Sequence, residues 1–308
     1  MYYFCQYFTT IYLTNSLQKI LKQILASSFY ICYNSHVVNK LKELKIMATV
    51  EKITKENLNY NELLNQAISE QGTISKCYSL FHNYSIQNQI LAMYQMKMRG
   101  MDITPINSMS GWNKLGRRIK KGSKAISLWM PIGGYKVKVK DENENEVEKY
   151  IGTRFAFKNN WFSLEQTQGD EFKQDDIKIQ FNFDKVYTHY NIKLVKFEML
   201  NGNVQGYADT TKKELAINPL AEHPEMTILH EIAHIALKHN EGNIEKHIKE
   251  VEAESVAYIV GSIIGVSENE LSNSRGYIQN WLSNNKLTDK TTNRIFKVAN
   301  DIIKYGKV

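Results

Sequence analysis

The sequence predicts an α+β fold, and three patterns support this. Apolar residues recur at helical spacing between residues 56 and 98. Strand-like alternation follows between residues 125 and 157, and again between residues 192 and 217. Two strongly apolar runs, at residues 227–237 and 249–263, are then long and regular enough to be helices. We therefore expect a mixed helix and strand domain first, and a C-terminal domain built around these two helices.

The first 46 residues differ from the rest of the chain, being rich in Tyr, Phe, Ile, Asn and Ser without a sustained period. They show neither clear signal-peptide features nor an uninterrupted apolar run of transmembrane length, so no membrane partner is expected. Lys42 and Glu43 can be encoded by a ribosome-binding sequence just ahead of Met47. We therefore interpret residues 1–46 as a doubtful extension with the true start at Met47. An ordinary, poorly ordered extension is the alternative.

Charge and cysteine content place few limits on function. The formal net charge is +7, but five lysines against one glutamate in residues 1–46 give +4 of it, so the location of basic clusters matters more than the total. Cys5, Cys32 and Cys77 form neither a disulfide framework nor a metal-type spacing. A reducing cytoplasm is therefore the expected compartment.

Two amphipathic helices are predicted before residue 98, with a break at Gln71 and Gly72. A basic and aromatic tract follows at residues 112–124, with six lysines and arginines and no acid from residue 114 onward. Such a tract can follow a phosphate backbone while nearby aromatic rings stack on exposed bases. A solvated charged helix and turn explains the same composition.

Residues 136–150 predict a hairpin with an acidic turn at residues 141–146, and its partner strand is expected at residues 150–157. Residues 168–176 are polar and acidic, and we place the domain boundary there. The predicted domains are therefore 47–169 and 170–308. Residues 205–217 predict a second hairpin just ahead of the helix at residues 227–237, and Pro224 suits the first turn of that helix.

The sequence His-Glu-Ile-Ala-His at residues 230–234 is the strongest indication of a catalytic metal site in the chain. On a helix, His230 and His234 lie one above the other and can present their imidazoles to one metal ion. Zinc bound by neutral imidazoles lowers the pKa of water to about 7, and Glu231 beside it can accept the proton as the water attacks a peptide carbonyl. This is the metallopeptidase interpretation of the motif. Two histidines falling by chance on a core helix are the alternative, so a third ligand must decide.

The third ligand is predicted on the next helix, which carries three carboxylates. Glu252 shares a stripe with apolar residues, whereas Glu254 and Glu250 share another face. An ionised carboxylate directed into a core is costly unless it is paired, and a zinc ion would pair it. We therefore predict Glu252 as the third ligand. The alternative is that Glu252 reaches water at the margin of the stripe and that Glu254 is the ligand.

Several blocks of the chain resemble a known family. The HEIAH motif followed by VEAESVAY at residues 251–258 resembles gluzincin-type zinc peptidases, and within them the C-terminal domain of ArdC-like antirestriction proteins, with ImmA/IrrE peptidases as more distant relatives. HNYSIQNQ at 82–89, GWNKLGRRIKKGSKAI at 111–126 and WFSLEQTQG at 161–169 resemble three consecutive blocks of the ArdC N-terminal domain. The resemblance implies a single-stranded-DNA-binding domain followed by a zincin-like metallopeptidase domain.

The resemblance also implies DNA contacts at matching positions. The phosphate candidates are Arg117, Lys120, Lys121 and Lys124, and the stacking candidates are Tyr84, Trp112 and Trp129. The aromatic residues can equally belong to the core, and this is the expected role of Trp112 and Trp129 taken individually. Asn88, in the first of these blocks, can contact DNA or can support the fold.

Three functions follow from these observations. The first is a single-stranded-DNA-binding, antirestriction-type protein of a mobile element. Its metallopeptidase domain, with Zn²⁺ on His230, His234 and Glu252, cleaves an unidentified DNA-associated protein. The second is an antirestriction protein that shields DNA and whose zinc site is structural. The third is a peptidase that cleaves a repressor. Loss of activity in Glu231→Gln separates the first from the second.

Overall fold

Helices dominate both ends of the described chain, with short strands between them. The computed structural model describes residues 58–140, 146–152, 154–174, 177, 179–198 and 203–308. The interpretation of residues 1–46 and of a start at Met47 therefore lies outside the described residues. The mixture of helix and strand confirms the predicted α+β class.

The helices occupy the following ranges: α1 Tyr60–Ser69, α2 Thr73–Phe81, α3 Ile86–Met98, α4 Met109–Lys114, α5 Phe183–Tyr190, α6 Pro224–Ala236, α7 Lys246–Ile264, α8 Glu268–Asn284 and α9 Asp289–Gly306. The strands occupy these ranges: β1 Ile106–Ser108, β2 Arg117–Ile119, β3 Ile126–Pro131, β4 Tyr135–Lys140, β5 Glu146–Ile151, β6 Phe155–Ser163, β7 Thr167–Gly169, β8 Lys193–Leu194, β9 Gly206–Asp209 and β10 Glu214–Ile217.

The first helices begin at side-chain caps, as their sequences favour. The side chain of Asn59 accepts a hydrogen bond from the Glu62 backbone N–H at the start of α1, and Ser85 does the same for Asn88 at the start of α3. Between α1 and α2 the backbone of Gly72 has a φ of 72°, which glycine adopts without a Cβ clash. The predicted helix break at Gly72 is therefore confirmed.

A three-stranded antiparallel sheet in the order β1-β6-β3 packs against α3. Two buried amides of α3 bind the backbone of the edge strand β3. Asn88 donates to the carbonyl of Trp129 at 2.9 Å and accepts from its N–H at 3.0 Å. Gln95 makes the equivalent pair with Ser127, at 2.8 and 2.9 Å. Asn88 therefore supports the fold, which is one of the two roles considered for it.

A hairpin is present as the antiparallel pair β4–β5, but its second strand lies at Glu146–Ile151 and not at the predicted residues 150–157, most of which belong to β6 and the link before it. Cross-strand ion pairs join Lys136 to Glu148 at 2.7 Å and Lys138 to Glu146 at 2.9 Å. These four side chains are well exposed, so each pair contributes little to stability. The acidic tip at residues 141–145 lies outside the described residues.

A second sheet in the order β8-β10-β9 lies next to α6, the helix that carries the HEIAH motif. The strands β9 and β10 form the hairpin predicted at residues 205–217, and β9 packs against α6. A Cβ at Gly206 would lie 2.8 Å from Thr227 Cγ2 and 3.1 Å from the carbonyl oxygen of Ala216. The absence of a side chain at Gly206 therefore permits this close approach of strand to helix.

The C-terminal helices form a layer around α7, which packs against α2, α6, α8 and α9. Its interior residues are almost all buried, in agreement with the apolar run that predicts it. At its end the backbone of Gly265 has a φ of 93°, and Val266 N–H donates to the carbonyl of Gly261 at 2.9 Å. This is the left-handed helix termination that favours glycine.

The last helix, α9, packs against α1 and α3 as well as against α5 and α7. Apolar side chains from the N-terminal helices, the β1-β6-β3 sheet and the C-terminal helices therefore contribute to one core. The domain boundary near residue 169 stays a prediction. Across the described residues, no helix combines the length and the apolar character needed to span a lipid bilayer.

Candidate metal centre

The motif helix α6 begins at Pro224, which occupies the first turn as predicted. Its buried face carries Met226, Leu229, Ile232, Ala233 and Ile235. His230 and His234 lie beside this face and are only partly buried. Both imidazoles therefore face α7 at the edge of the core.

His230, His234 and Glu250 converge on one point. Their ligand atoms all lie within 4.8 Å of one another. Among the described residues, no other three His, Cys, Asp or Glu side chains come this close together. His230 Nε2 lies 3.0 Å from His234 Nε2 and 3.5 Å from Glu250 Oε2, and His234 Nε2 lies 3.8 Å from the same oxygen. We call these three residues the ligand group.

The ligand group has the dimensions of a metal site. A tetrahedral zinc ion with bonds of about 2.0–2.1 Å holds its ligand atoms about 3.3 Å apart, close to the three separations described above. Two imidazole nitrogens only 3.0 Å apart also repel each other unless a proton or a cation lies between them. The donor set of two imidazoles and one carboxylate therefore fits a metal ion.

The electrostatics of the ligand group favour a cation. Burial lowers the pKa of His230, but Glu250 and Glu254 beside the ring outweigh burial and raise the pKa to about 10. Burial and then the charge of His230 lower the pKa of His234 to about 3. The carboxylates thus attract positive charge, while His234 stays neutral, which is the form of imidazole that binds metal.

Glu254 lies on the far side of His230 from the ligand group. Its Oε1 is 3.3 Å from His230 Nδ1, and the hydroxyl of Ser274, on α8, stabilises its ionised form. A carboxylate at the second nitrogen of a metal-binding imidazole is a common arrangement, because it holds the ring with the other nitrogen free. Glu254, the alternative third ligand, therefore contacts the opposite nitrogen of His230.

The structure does not bring Glu252 into the ligand group. Its side chain is fully buried, as its apolar stripe predicts, but its Oε2 lies 2.9 Å from His239 Nε2. Its other oxygen lies 3.6 Å from Arg294 Nη1, an ion-pair distance. The predicted burial of Glu252 is therefore present, but its carboxylate oxygens contact His239 and Arg294 and not the ligand group.

Sequence reasoning missed Glu250 because it required the ligand to lie in the apolar stripe. The ligand group lies at the margin of the core, where a carboxylate that is 35% exposed can reach it. Spacing was the available signal: Glu250 and Glu254 are four residues apart on α7, as His230 and His234 are on α6. His239 was also missed, and no sequence pattern pointed to it.

Glu231 follows His230 on α6 and is partly buried. Burial raises the pKa of Glu231, while the charge of His230 and a hydrogen bond from the backbone of Ala208 on β9 act in the opposite direction. A carboxyl group with a raised pKa is a better proton acceptor near neutral pH. Glu231 therefore has properties that suit a general base beside the ligand group.

The aromatic residues predicted to stack on DNA differ in how far their rings are buried. Trp112 is fully buried, and its Nε1 donates to the carbonyl of Phe162 at 2.8 Å, so its ring offers no face to solvent. Trp129 packs against Phe157 with ring centroids 5.3 Å apart. Tyr84 is partly buried and packs edge-on against Trp161 at 6.5 Å. The core alternative therefore describes Trp112, and Tyr84 retains a partly exposed ring.

The basic residues predicted to contact phosphate lie around β2. Lys120, Lys121 and Lys124 are exposed, and Lys120 Nζ donates to the carbonyl of Glu165 at 2.8 Å. The guanidinium of Arg117 instead binds its own fold, with Nε donating to Thr167 Oγ1 at 2.8 Å and Nη1 to the carbonyl of Asp170. The structure thus leaves these three lysines exposed, and Arg117 joins β2 to β7.

Comparisons with known proteins return structural matches only. No protein-family model matches the chain, and no curated protein matches it. Its structural neighbours include the antirestriction protein ArdC from plasmid R388. The metal-free ArdC structure gives a TM-score of 0.43 and the Mn(II)-bound structure one of 0.45. Each is 14% identical and covers 80% of this chain and 96% of ArdC.

Proposed function

We propose that this chain is a zinc-dependent peptidase that binds single-stranded DNA and cleaves a protein on or near that DNA. One observation carries the proposal. The ligand atoms of His230, His234 and Glu250 converge within 4.8 Å, and Glu231 lies on the helix that carries both histidines. Two imidazoles and one carboxylate are a donor set of catalytic zinc sites, which leave a fourth position for water or substrate.

In this proposal His230, His234 and Glu250 would hold the metal, which would supply a Lewis acid for water activation and carbonyl polarisation. Glu231 accepts the proton of the attacking water and delivers it to the leaving amine. Burial raises the pKa of Glu231, which strengthens this carboxylate as a proton acceptor for the water. Glu254, with Ser274 behind it, holds the ring of His230.

The DNA-binding part of the proposal rests on exposed charge and on the three sequence blocks that resemble ArdC. Lys120, Lys121 and Lys124 are exposed on one segment, next to a cavity of about 650 Å³ lined in part by Arg117 and Arg118. A basic surface of this kind can follow a phosphate backbone. We propose DNA contacts for these lysines, with Tyr84 as the aromatic candidate.

Peptide hydrolysis is tested with a mixture of proteome-derived peptides, using protein stripped of metal and then reloaded with Zn²⁺. We expect new peptide termini, detected by mass spectrometry, with wild type and with Glu245→Gln, an exposed glutamate beyond the ligand group. Glu231→Gln and the metal-stripped protein should give none. Cleavage that survives Glu231→Gln would contradict the assigned role of this residue, and no zinc-dependent cleavage by wild type would contradict the peptidase proposal.

DNA binding is tested by titrating single-stranded DNA at several salt concentrations. The logarithm of affinity should fall linearly with that of salt concentration, by about 0.7 for each phosphate contact. The double variant Lys120→Ala/Lys121→Ala should weaken binding and reduce this slope, whereas Lys136→Ala/Lys138→Ala removes the same charge from the β4–β5 hairpin and should change neither. Equal behaviour of the two variants would contradict the assigned surface. DNA binding without peptide cleavage would favour shielding over proteolysis.

A further inference from the structure

His239 lies directly behind His234 because of how α6 ends. Lys238 adopts the left-handed conformation with a φ of 55°. The N–H of Lys238 donates to the carbonyl of Ile235 at 3.0 Å, and the N–H of His239 donates to the carbonyl of His234 at 3.1 Å. These two bonds form a Schellman termination with lysine at the position that glycine usually occupies. The turn thus folds His239 back over the last helical turn, where it is only 4% exposed.

The side chain of His239 connects His234 to Glu252. His234 Nδ1 lies 2.7 Å from His239 Nδ1, and His239 Nε2 lies 2.9 Å from Glu252 Oε2. Arg294 on α9 lies 3.6 Å from the second oxygen of Glu252 and also donates to the carbonyl of Leu237 at the end of α6. Four side chains from three helices and one helix-terminating turn therefore form a single polar chain behind the ligand group.

Only one arrangement of protons satisfies this chain while leaving a lone pair for a metal. His234 Nε2 faces the ligand group, so its proton must lie on Nδ1. His234 Nδ1 then donates to His239 Nδ1, and His239 Nε2 carries the proton that it donates to the carboxylate of Glu252. Every nitrogen and the facing oxygen have a partner of the correct type. A buried group at the position of His239 that could not accept a hydrogen bond would leave the Nδ1–H of His234 unsatisfied.

We propose that His239 and Glu252 are positioning residues that fix the tautomer and ring orientation of His234 for metal binding. This inference rests on the proposed metal site. In this inference Glu252 and His239 do not bind the metal themselves but hold a ligand, as Glu254 holds His230. Hydrogen-bond partners of this kind change metal affinity by about 10–100-fold when they are removed.

Metal affinity is measured by competition between the full chain and a fluorescent chelator, with Zn²⁺ and separately with Mn²⁺ at one constant pH. His239→Leu fills similar space but cannot accept a hydrogen bond, so we expect affinity to fall about 10–100-fold. His239→Asn fills less space but offers a carbonyl oxygen near the position of Nδ1, so it should restore most of the affinity. Glu252→Gln keeps an acceptor for His239 and should give an intermediate loss. His247→Leu changes a histidine that is about half exposed and should bind metal like wild type.

The order of the two His239 variants separates positioning from packing. If His239 only fills space in the core, leucine should preserve metal affinity better than asparagine, and that order would overturn the inference. Thermal unfolding of each metal-free variant verifies folding, and ¹H–¹⁵N spectra of the imidazoles of zinc-loaded wild type report the tautomer of His234 directly. A proton on Nε2 of His234 would also overturn the inference. If wild type itself bound neither metal, the proposed function would fail first.

Discussion

At the scale of residues, three glutamates on α7 have three different partners. Glu250 faces both imidazoles of the motif, Glu254 contacts the outer nitrogen of His230, and Glu252 points to His239 in the core. Glu252 lies two residues from each of the others and projects from a different side of the helix, whereas Glu250 and Glu254 are four residues apart, share a face and contact opposite nitrogens of His230. One residue type therefore has three roles: Glu250 belongs to the ligand group, Glu254 contacts His230 from behind, and Glu252 belongs to the buried polar chain.

The assignment of Glu250 predicts a specific loss. Glu250→Ala removes one of three proposed ligands and leaves two imidazoles, so we expect affinity for Zn²⁺ to fall by at least about 100-fold. The half-exposed ion pair of Glu245 with His247 offers a control, and Glu245→Ala should retain wild-type affinity. Isothermal titration of metal-stripped protein measures both. Unchanged affinity in Glu250→Ala would remove this carboxylate from the site.

Cys77 should be chemically silent in the folded protein. Its thiol is 1% exposed, and burial raises its pKa to about 12. Because the thiolate is the reactive form, alkylation by iodoacetamide near pH 8 should be at least about 1,000-fold slower than in the chain unfolded by guanidinium. The double variant Cys5→Ser/Cys32→Ser isolates Cys77 for this measurement, read by mass spectrometry. Comparable rates in the two states would show that the α2 region opens readily.

At the scale of elements, the distance between α6 and α7 decides whether the ligand group forms, because its side chains come from both helices. Gly261 allows α7 to approach its neighbours closely. A Cβ there would lie 2.8 Å from Met226 Sδ on α6 and 3.0 Å from Leu271 Cδ2 on α8. Both contacts are shorter than ordinary van der Waals separations, so a side chain at Gly261 would require Met226 and Leu271 to move.

Gly261→Val should therefore destabilise the protein by about 1–3 kcal/mol, the usual cost of overpacking a core. Gly276 on α8 provides a matched control, since no heavy atom lies within 4 Å of a Cβ built there. Gly276→Val should leave stability equal or slightly higher, because valine is a better helix former than glycine. Urea unfolding curves measure both free energies. Equal effects would indicate that helix propensity, and not packing, governs both sites.

At the scale of the whole molecule, a metal bound by α6 and α7 should stabilise the entire core. A ligand that binds only the folded state at about 100 times its Kd adds about 2.7 kcal/mol to the free energy of unfolding. For a core of this size that corresponds to a rise in Tm of roughly 5–10 °C. Zn²⁺ should produce this shift in wild type but not in Glu250→Ala, as measured by differential scanning calorimetry. An equal shift in both proteins would locate the metal elsewhere.

The sequence predicts those features that depend on local physics. Helical apolar spacing predicts α6 and α7, a glycine at a left-handed position predicts the break at Gly72, and alternation predicts the first strand of the β4–β5 hairpin. The sequence does not predict features that depend on how distant elements pack together. Burial of Glu252 followed from its stripe, but its partner came from a helix-terminating turn whose left-handed residue is a lysine, and a lysine gives no sign of that conformation.

Trp112 shows the same limit in the N-terminal part of the chain. It lies at the start of the basic tract, where sequence proximity to lysines and arginines suggests a stacking role. The direction of its side chain depends on the packing of α4 against β6, which no local pattern encodes. The indole N–H reaches a buried backbone carbonyl of β6, so the fold uses the ring as an internal anchor.

The two amides of α3 have a consequence for solubility. An exposed edge strand is a template on which a second chain can pair and begin an aggregate. Asn88 and Gln95 occupy the backbone groups of Ser127 and Trp129 that an incoming strand would need, so the helix takes the place of the next strand in the sheet. An amide that completes a sheet from a helix thereby protects the protein against self-association.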